Sequence, residues 1–138
     1  MVKVIKMEYQ DKMLDAPIQL TSSTYQGYNY YVLSMGILPC AYVEIPKDSK
    51  YFNVDYDNIP IYCHGGLTYS EGFLHTVATI DEERYFIGWD YGHYGDYMGF
   101  YNTRNNLLNL GKKWTTIEII KECIDVIRQL VKLEAENE

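Results

Sequence analysis

The chain is short of basic charge, of cysteine and of long apolar runs, and each shortage closes off a class of function. Twelve Lys and Arg stand against nineteen Asp and Glu, for a formal net charge of -7. General nucleic-acid binding is therefore not expected, because phosphate recognition needs a concentration of cationic side chains. No run approaches the ~18 consecutive apolar residues of a membrane span. The opening Met1-Val2-Lys3-Val4-Ile5-Lys6 passes into Met7, Glu8 and Tyr9 rather than into a sustained apolar segment with a small-residue cleavage site. A soluble cytoplasmic protein with no membrane partner is expected. The three cysteines, Cys40, Cys63 and Cys123, form no CxxC pair and cannot all pair with one another, so they read as reduced thiols. Also missing are the HExxH, EF-hand, zinc-finger, P-loop and GxGxxG signatures. Ser70 lacks the first glycine of a GxSxG nucleophile elbow.

What is present is a globular composition. The 138 residues, 47% hydrophobic and 22% charged, fit one domain spanning residues 1–138 with a real core. Residues 27–34 and 40–45 are rich in aromatic and β-branched side chains, are separated by Gly36 and Pro39, and read as a hairpin. Residues 61–64, 74–80 and 84–90 read as further strands, with Asp81-Glu82-Glu83 as the turn between the last two. Weaker extended patterns occur at residues 1–10, through Val2 and Val4, and at 17–21. The polar stretch from Pro46 to Pro60 has loop composition, at a length that is usually functional or partly structured. Thr115-Thr116-Ile117-Glu118 has the spacing of a capping box, and Trp114 and Ile119 that of a hydrophobic staple. Ile120, Cys123, Ile127, Leu130 and Val131 then recur at helical spacing, with Lys121, Glu122, Asp125 and Arg128 on the other side. A helix over about 116–133 covering one face of an antiparallel or mixed sheet makes the fold class α+β.

Chemistry concentrates in two glycine-flanked clusters. The first is Cys63-His64-Gly65-Gly66-Leu67-Thr68-Tyr69-Ser70, and the second Gly88-Trp89-Asp90-Tyr91-Gly92-His93-Tyr94-Gly95-Asp96. Glycine lets the backbone turn tightly or approach a ligand closely. A strand end followed by a tight loop would gather Asp90, His93 and Asp96, and a neighbouring strand end would add His64. That set suits a general base held by an acid, and equally a divalent cation, by analogy with the two-His-one-carboxylate triad. No particular metal or cofactor is specified. Gly65, Gly66, Thr68, Tyr69, Ser70, Trp89 and Tyr94 are the candidate ligand contacts, Gly65 and Gly66 also reading as an anion-binding nest or as a plain turn. Cys63 and His64, adjacent on a strand, would point to opposite faces and make no dyad.

Fifteen tyrosines are the other anomaly, with Tyr91, Tyr94, Tyr97 and Tyr101 crowded after Trp89. The motifs His64-Gly65-Gly66-Leu67-Thr68-Tyr69-Ser70 and Gly88 to Asp96, followed by a terminal helix from Thr116, resemble a family of small uncharacterised proteins of phages and related mobile elements of Gram-positive bacteria. Members of that family resemble HGGxTYS followed by GxDxAHxGD, with Gly92 here where alanine is common, and the likeness covers residues 39–131. The resemblance implies a phage-encoded protein acting in the host cytoplasm, and no activity. Two readings follow. In one, His64, Asp90, His93 and Asp96 form a site, catalytic or not, for a small polar ligand, nucleotide-like ones included, suited to aromatic surroundings. In the other, a tyrosine-rich face binds a host or phage protein or a second copy of the chain, giving a homodimer.

Overall fold

The computed structural model describes residues 4, 5, 7, 9, 13–97 and 111–136. Its strands are β1 (Ile18–Tyr25), β2 (Tyr28–Ser34), β3 (Pro39–Glu44), β4 (Tyr69–Glu71) and β5 (Phe86–Asp90), followed by one helix, α1 (Thr116–Ala135). They form a five-stranded sheet in the order β1-β2-β3-β5-β4, every neighbouring pair antiparallel. The sheet packed on the C-terminal helix is the α+β arrangement expected from the sequence.

The hairpin of β2 and β3 runs as read, with Tyr30 opposite Val43 and Val32 opposite Ala41. The longer strand before it was less legible. β1 pairs with β2 down to Tyr25 opposite Tyr28, across a two-residue loop whose Gln26 and Gly27 both have positive φ (48° and 85°). That is the backbone a tight type I′ hairpin demands. Gly27, placed at the start of a strand by sequence, is therefore in the turn.

Two of the expected strands are not strands. Residues 61–64 belong to no strand and meet the helix rather than the sheet: the Tyr62 N–H donates to Gln129 Oε1 (2.8 Å), and Gln129 Nε2 donates to the Tyr62 carbonyl (2.7 Å). A side-chain amide, giving this segment one donor and one acceptor, replaces a partner strand. In residues 74–80, Leu74 and Ala78 exchange backbone hydrogen bonds across a tight turn that takes Thr76 to φ 67°, and a 3-10 turn at Ile80–Glu82 follows. The apolar residues there cover the sheet instead of joining it. Leu74 and Ala78 are buried against Tyr31, Leu33 and Phe86 on the face away from the helix. The long loop from Pro46 to Pro60 is partly structured by turns and a 3-10 segment at Tyr56–Asn58. The strand expected at 1–10 falls mostly outside the described residues; Val4 and Ile5 belong to no named strand, though the Ile5 N–H donates to the Leu20 carbonyl (2.9 Å).

α1 begins as its sequence dictates. Thr115 Oγ1 accepts from the Glu118 N–H (3.2 Å) and Glu118 Oε1 accepts from the Thr115 N–H (2.9 Å), which satisfies two of the donors a helix start leaves open. Ile119, Cys123, Val126, Ile127 and Leu130 are fully buried against Tyr30, Val32, Ala41, Val43, Ile87 and Trp89 of the sheet. This apolar layer fixes the helix over β1, β2 and β3. It also places the first two turns of α1 beside the end of β5, where the histidines meet.

Candidate functional site

Both histidine loops use the same local device. The Gly66 N–H donates to the Cys63 carbonyl (2.9 Å), and Gly65, third residue of that turn, has φ 71°; the Asp96 N–H donates to the His93 carbonyl (2.9 Å), and Gly95, again third, has φ 94°. A positive φ at that position is what a type II turn requires, and glycine supplies it without steric cost. The second loop leaves β5 through an Asx turn in which the Gly92 N–H donates to Asp90 Oδ1 (3.0 Å). It then closes on the segment before α1, where the Tyr97 N–H donates to the Lys112 carbonyl (2.9 Å) and the Lys112 N–H donates to the Gly95 carbonyl (2.8 Å).

The turns interlock. A Cβ on Gly65 would sit 2.2 Å from His93 Nε2, so only a glycine permits this approach of the His64 turn to the His93 ring. The two imidazoles lie edge to face with centroids 5.7 Å apart. The structure thus brings His64, Asp90, His93 and Asp96 to one place, with Gly65 as the contact between the two loops.

Asp96 is the centre of the arrangement. Its side chain is almost wholly buried, at 3% exposure. It accepts from His64 Nε2 at both oxygens (2.8 and 3.0 Å), from the Trp114 indole N–H (2.8 Å) and from the His93 backbone N–H (2.9 Å). An ionised carboxylate only accepts, so the proton shared with His64 lies on Nε2. In the neutral ring that leaves Nδ1 with the lone pair. The ring is held in plane as well as in direction: it stacks on Tyr91 at 4.8 Å and 9°, and Trp114 packs on it at 4.9 Å. Among the described residues nothing comparable fixes His93. Its Nε2 lies 3.3 Å from Asp90 Oδ1, close enough for ion pairing, yet it is buried without a properly aligned hydrogen bond.

The sequence missed three members of the site. Trp114 was read only as a helix staple, Tyr91 only as part of an aromatic cluster, and Glu122 as a residue of the outer helix face. Glu122 instead turns inward, accepting from the Tyr91 hydroxyl at Oε1 and from the His64 backbone N–H at Oε2 (2.9 Å). Burial first, and the bond to Glu122 second, push the Tyr91 hydroxyl well above its ordinary pKa, so it stays a donor. No periodicity announces such a residue, because Glu122 sits at the edge of the apolar stripe, beside Cys123.

The remaining candidates scatter. Gly66 closes its turn. Thr68 donates its N–H to the Gly88 carbonyl (2.9 Å) and is exposed. Tyr69 stacks edge-on against Tyr42 (5.2 Å), with the cluster on the sheet face away from the helix. Ser70 accepts from the Tyr56 N–H (3.1 Å) and donates to Asp55 Oδ1 (3.3 Å), tying down the long loop. Thus the first three residues of the first motif serve the site and its last three serve the sheet edge. Trp89 is buried and donates its indole N–H to the Tyr91 hydroxyl (3.0 Å), while Tyr94 is exposed beside His93. Tyr97 stacks edge-on against Tyr9 (5.3 Å), and Tyr101 lies outside the described residues. Cys63 is partly buried and its thiol is pushed up to about 12, by burial first and by the Glu122 carboxylate second, so it offers no thiolate near neutral pH.

Among the described residues no three or more His, Cys, Asp or Glu side chains are grouped so as to hold a metal ion. Trp114 also lines a mostly apolar cavity of about 620 Å³, with Val4, Met7, Tyr9, Lys113 and Ile117, which neither imidazole reaches. No helix among the described residues is long and apolar enough to cross a membrane. Comparison with family models, with curated proteins and with solved structures returns no match.

Proposed function

We propose that the protein binds, and acts by general acid–base chemistry on, a small polar ligand at the paired imidazoles, with His64 Nδ1 as the proton acceptor, Asp96 as its orienting acid and His93 as the second proton-handling group. One observation carries this reading: the buried Asp96 carboxylate fixes the tautomer of one histidine through its side chain and the position of the other through its backbone. An imidazole backed by a carboxylate is the arrangement a general base needs. Three carboxylates, Asp90, Asp96 and Glu122, surround two imidazoles, so the local field disfavours an anionic group. For a nucleotide-like ligand, the base or sugar belongs here rather than the phosphate. The exposed ring of Tyr94, next to His93, offers such a ligand a stacking surface.

Origin in a phage or mobile element of Gram-positive bacteria, and action in the host cytoplasm, form part of the proposal and rest on the two motifs alone. The alternative of a protein-binding or self-associating tyrosine face draws support from Tyr62 and Tyr94, which are 85% and 87% exposed. It is weakened by Tyr28, Tyr30, Tyr31, Tyr85 and Tyr91, all of which are buried.

The test is titration of 15N-labelled protein with nucleosides, nucleotides and neutral sugars, following the imidazole signals of His64 and His93. A ligand of the site moves both rings together, and His64→Ala abolishes its binding in a folded protein. If no compound moves either ring at millimolar concentration while sedimentation shows concentration-dependent association, the protein-binding reading replaces this one.

A further inference from the structure

Glu122 reaches His64 by two routes that converge from one carboxylate. Oε2 accepts the backbone N–H of His64 (2.9 Å), which fixes where the residue leaves the main chain. Oε1 accepts the hydroxyl of Tyr91, whose ring lies parallel to the imidazole at 4.8 Å, which fixes the plane of the side chain. The Tyr91 hydroxyl is pinned from the other side by the Trp89 indole N–H (3.0 Å), so the stacking ring cannot swing away from the helix. The apolar layer of α1 determines where Glu122 stands, since Cys123, its neighbour, is fully buried and Ile119 precedes it by one turn.

Resting on the role given to His64 above, we infer that Glu122 is a positioning residue for that histidine, holding its backbone directly and its ring through Tyr91, so that Nδ1 stays aimed at the ligand while Asp96 holds Nε2. Two carboxylates thus grip one imidazole from different elements: Asp96, from the loop after β5, sets its hydrogen-bond direction, and Glu122, from α1, sets its plane. A catalytic group misplaced by about 1 Å can lose about a hundredfold in rate, which gives such a second grip a purpose beyond stability. The helix packed on the sheet is in this way coupled to the site at its edge.

Long-range 1H–15N spectra of the ligand-free protein test this. In the parent chain His64 is expected as a single Nε2–H tautomer, its ring protons displaced upfield by the face of Tyr91. Glu122→Ala removes both grips and is expected to lose most of that upfield displacement and to introduce the Nδ1–H tautomer, while the amide signals of Val126 and Leu130 show the helix still folded. Glu122→Gln, whose amide oxygen accepts one of the two bonds, is expected to recover an intermediate displacement. Tyr91→Phe keeps the ring but cuts its link to the carboxylate, and answers the question should Glu122→Ala not fold; here a mixed tautomer population is expected. A folded Glu122→Ala or Tyr91→Phe protein with the tautomer and ring shifts of the parent overturns the inference, because a merely structural Glu122 would alter only the melting temperature. No ligand enters this measurement, so its failure is distinct from failure of the ligand titration.

Discussion

The two imidazole–carboxylate pairs are built from the same parts and differ in nearly every physical respect. His64 and Asp96 lie 2.8 Å apart with side chains 23% and 3% exposed, whereas His93 and Asp90 lie 3.3 Å apart with side chains 35% and 33% exposed. Asp96 collects three different donors; among the described residues Asp90 holds only the Gly92 N–H of its own turn in a well-formed bond. A charge–dipole contact away from water is electrostatically stronger, and more costly to leave half made, than the same contact at the surface. The first pair is therefore fixed and structural as well as chemical, and the second is loosely coupled. A proton acceptor whose direction matters and a partner ring with room to adjust would be divided in this way.

The comparison breaks most readily at Asp96. Asp96→Ala leaves the Trp114 indole, the His93 N–H and His64 Nε2 without their acceptor in a nearly closed space. A loss of about 3 to 5 kcal/mol in unfolding free energy is expected, as for removal of one partner from a buried charged network. Urea denaturation would show it, and a loss below about 1 kcal/mol would mean that water replaces the carboxylate and the pair is not special. Gly65→Ala should come next, near 2 to 3 kcal/mol, because the positive φ of 71° and the 2.2 Å approach to His93 Nε2 act together. Its informative readout is local: the His93 ring signals should move further than those of His64, since the added methyl displaces the looser ring first.

How far the sequence foretold this depends on whether an element announces itself locally. The capping box at Thr115 and Glu118 and the apolar stripe through Cys123, Ile127 and Leu130 are patterns within one element, and they placed α1 to within two residues of its observed end at Ala135. The β2 and β3 hairpin was legible for the same reason. Residues 74–80 were misread because Leu74, Val77 and Ala78 have strand-like apolarity but serve as a plug over Phe86 and Leu33, a role that only tertiary context assigns. Residues 61–64 were misread because Gln129, far along the chain, provides their hydrogen bonds. At the site, the glycines beside His64 and His93 marked the turns correctly. Glu122 and Trp114 stayed hidden because their roles arise only when α1 docks beside the end of β5.

The smallest expected effect is at Asp90, and it sharpens the comparison by contrast. Asp90→Asn keeps an oxygen to accept the Gly92 N–H, since asparagine forms the same Asx turn, and removes only the charge facing His93. The pair is about one-third exposed on both sides, and exposed ion pairs contribute between nothing and about 1 kcal/mol, so the variant should unfold within about 0.5 kcal/mol of the parent. The matching change Asp96→Asn places an NH₂ where one oxygen now accepts. With Trp114, His64 and His93 all presenting donors, at least one faces another donor. The two isosteric substitutions, measured side by side in urea, should therefore differ by about 2 kcal/mol or more. Equal costs would show that Asp90 is as deeply built into the fold as Asp96, and that the division between a fixed and a loosely coupled histidine does not exist.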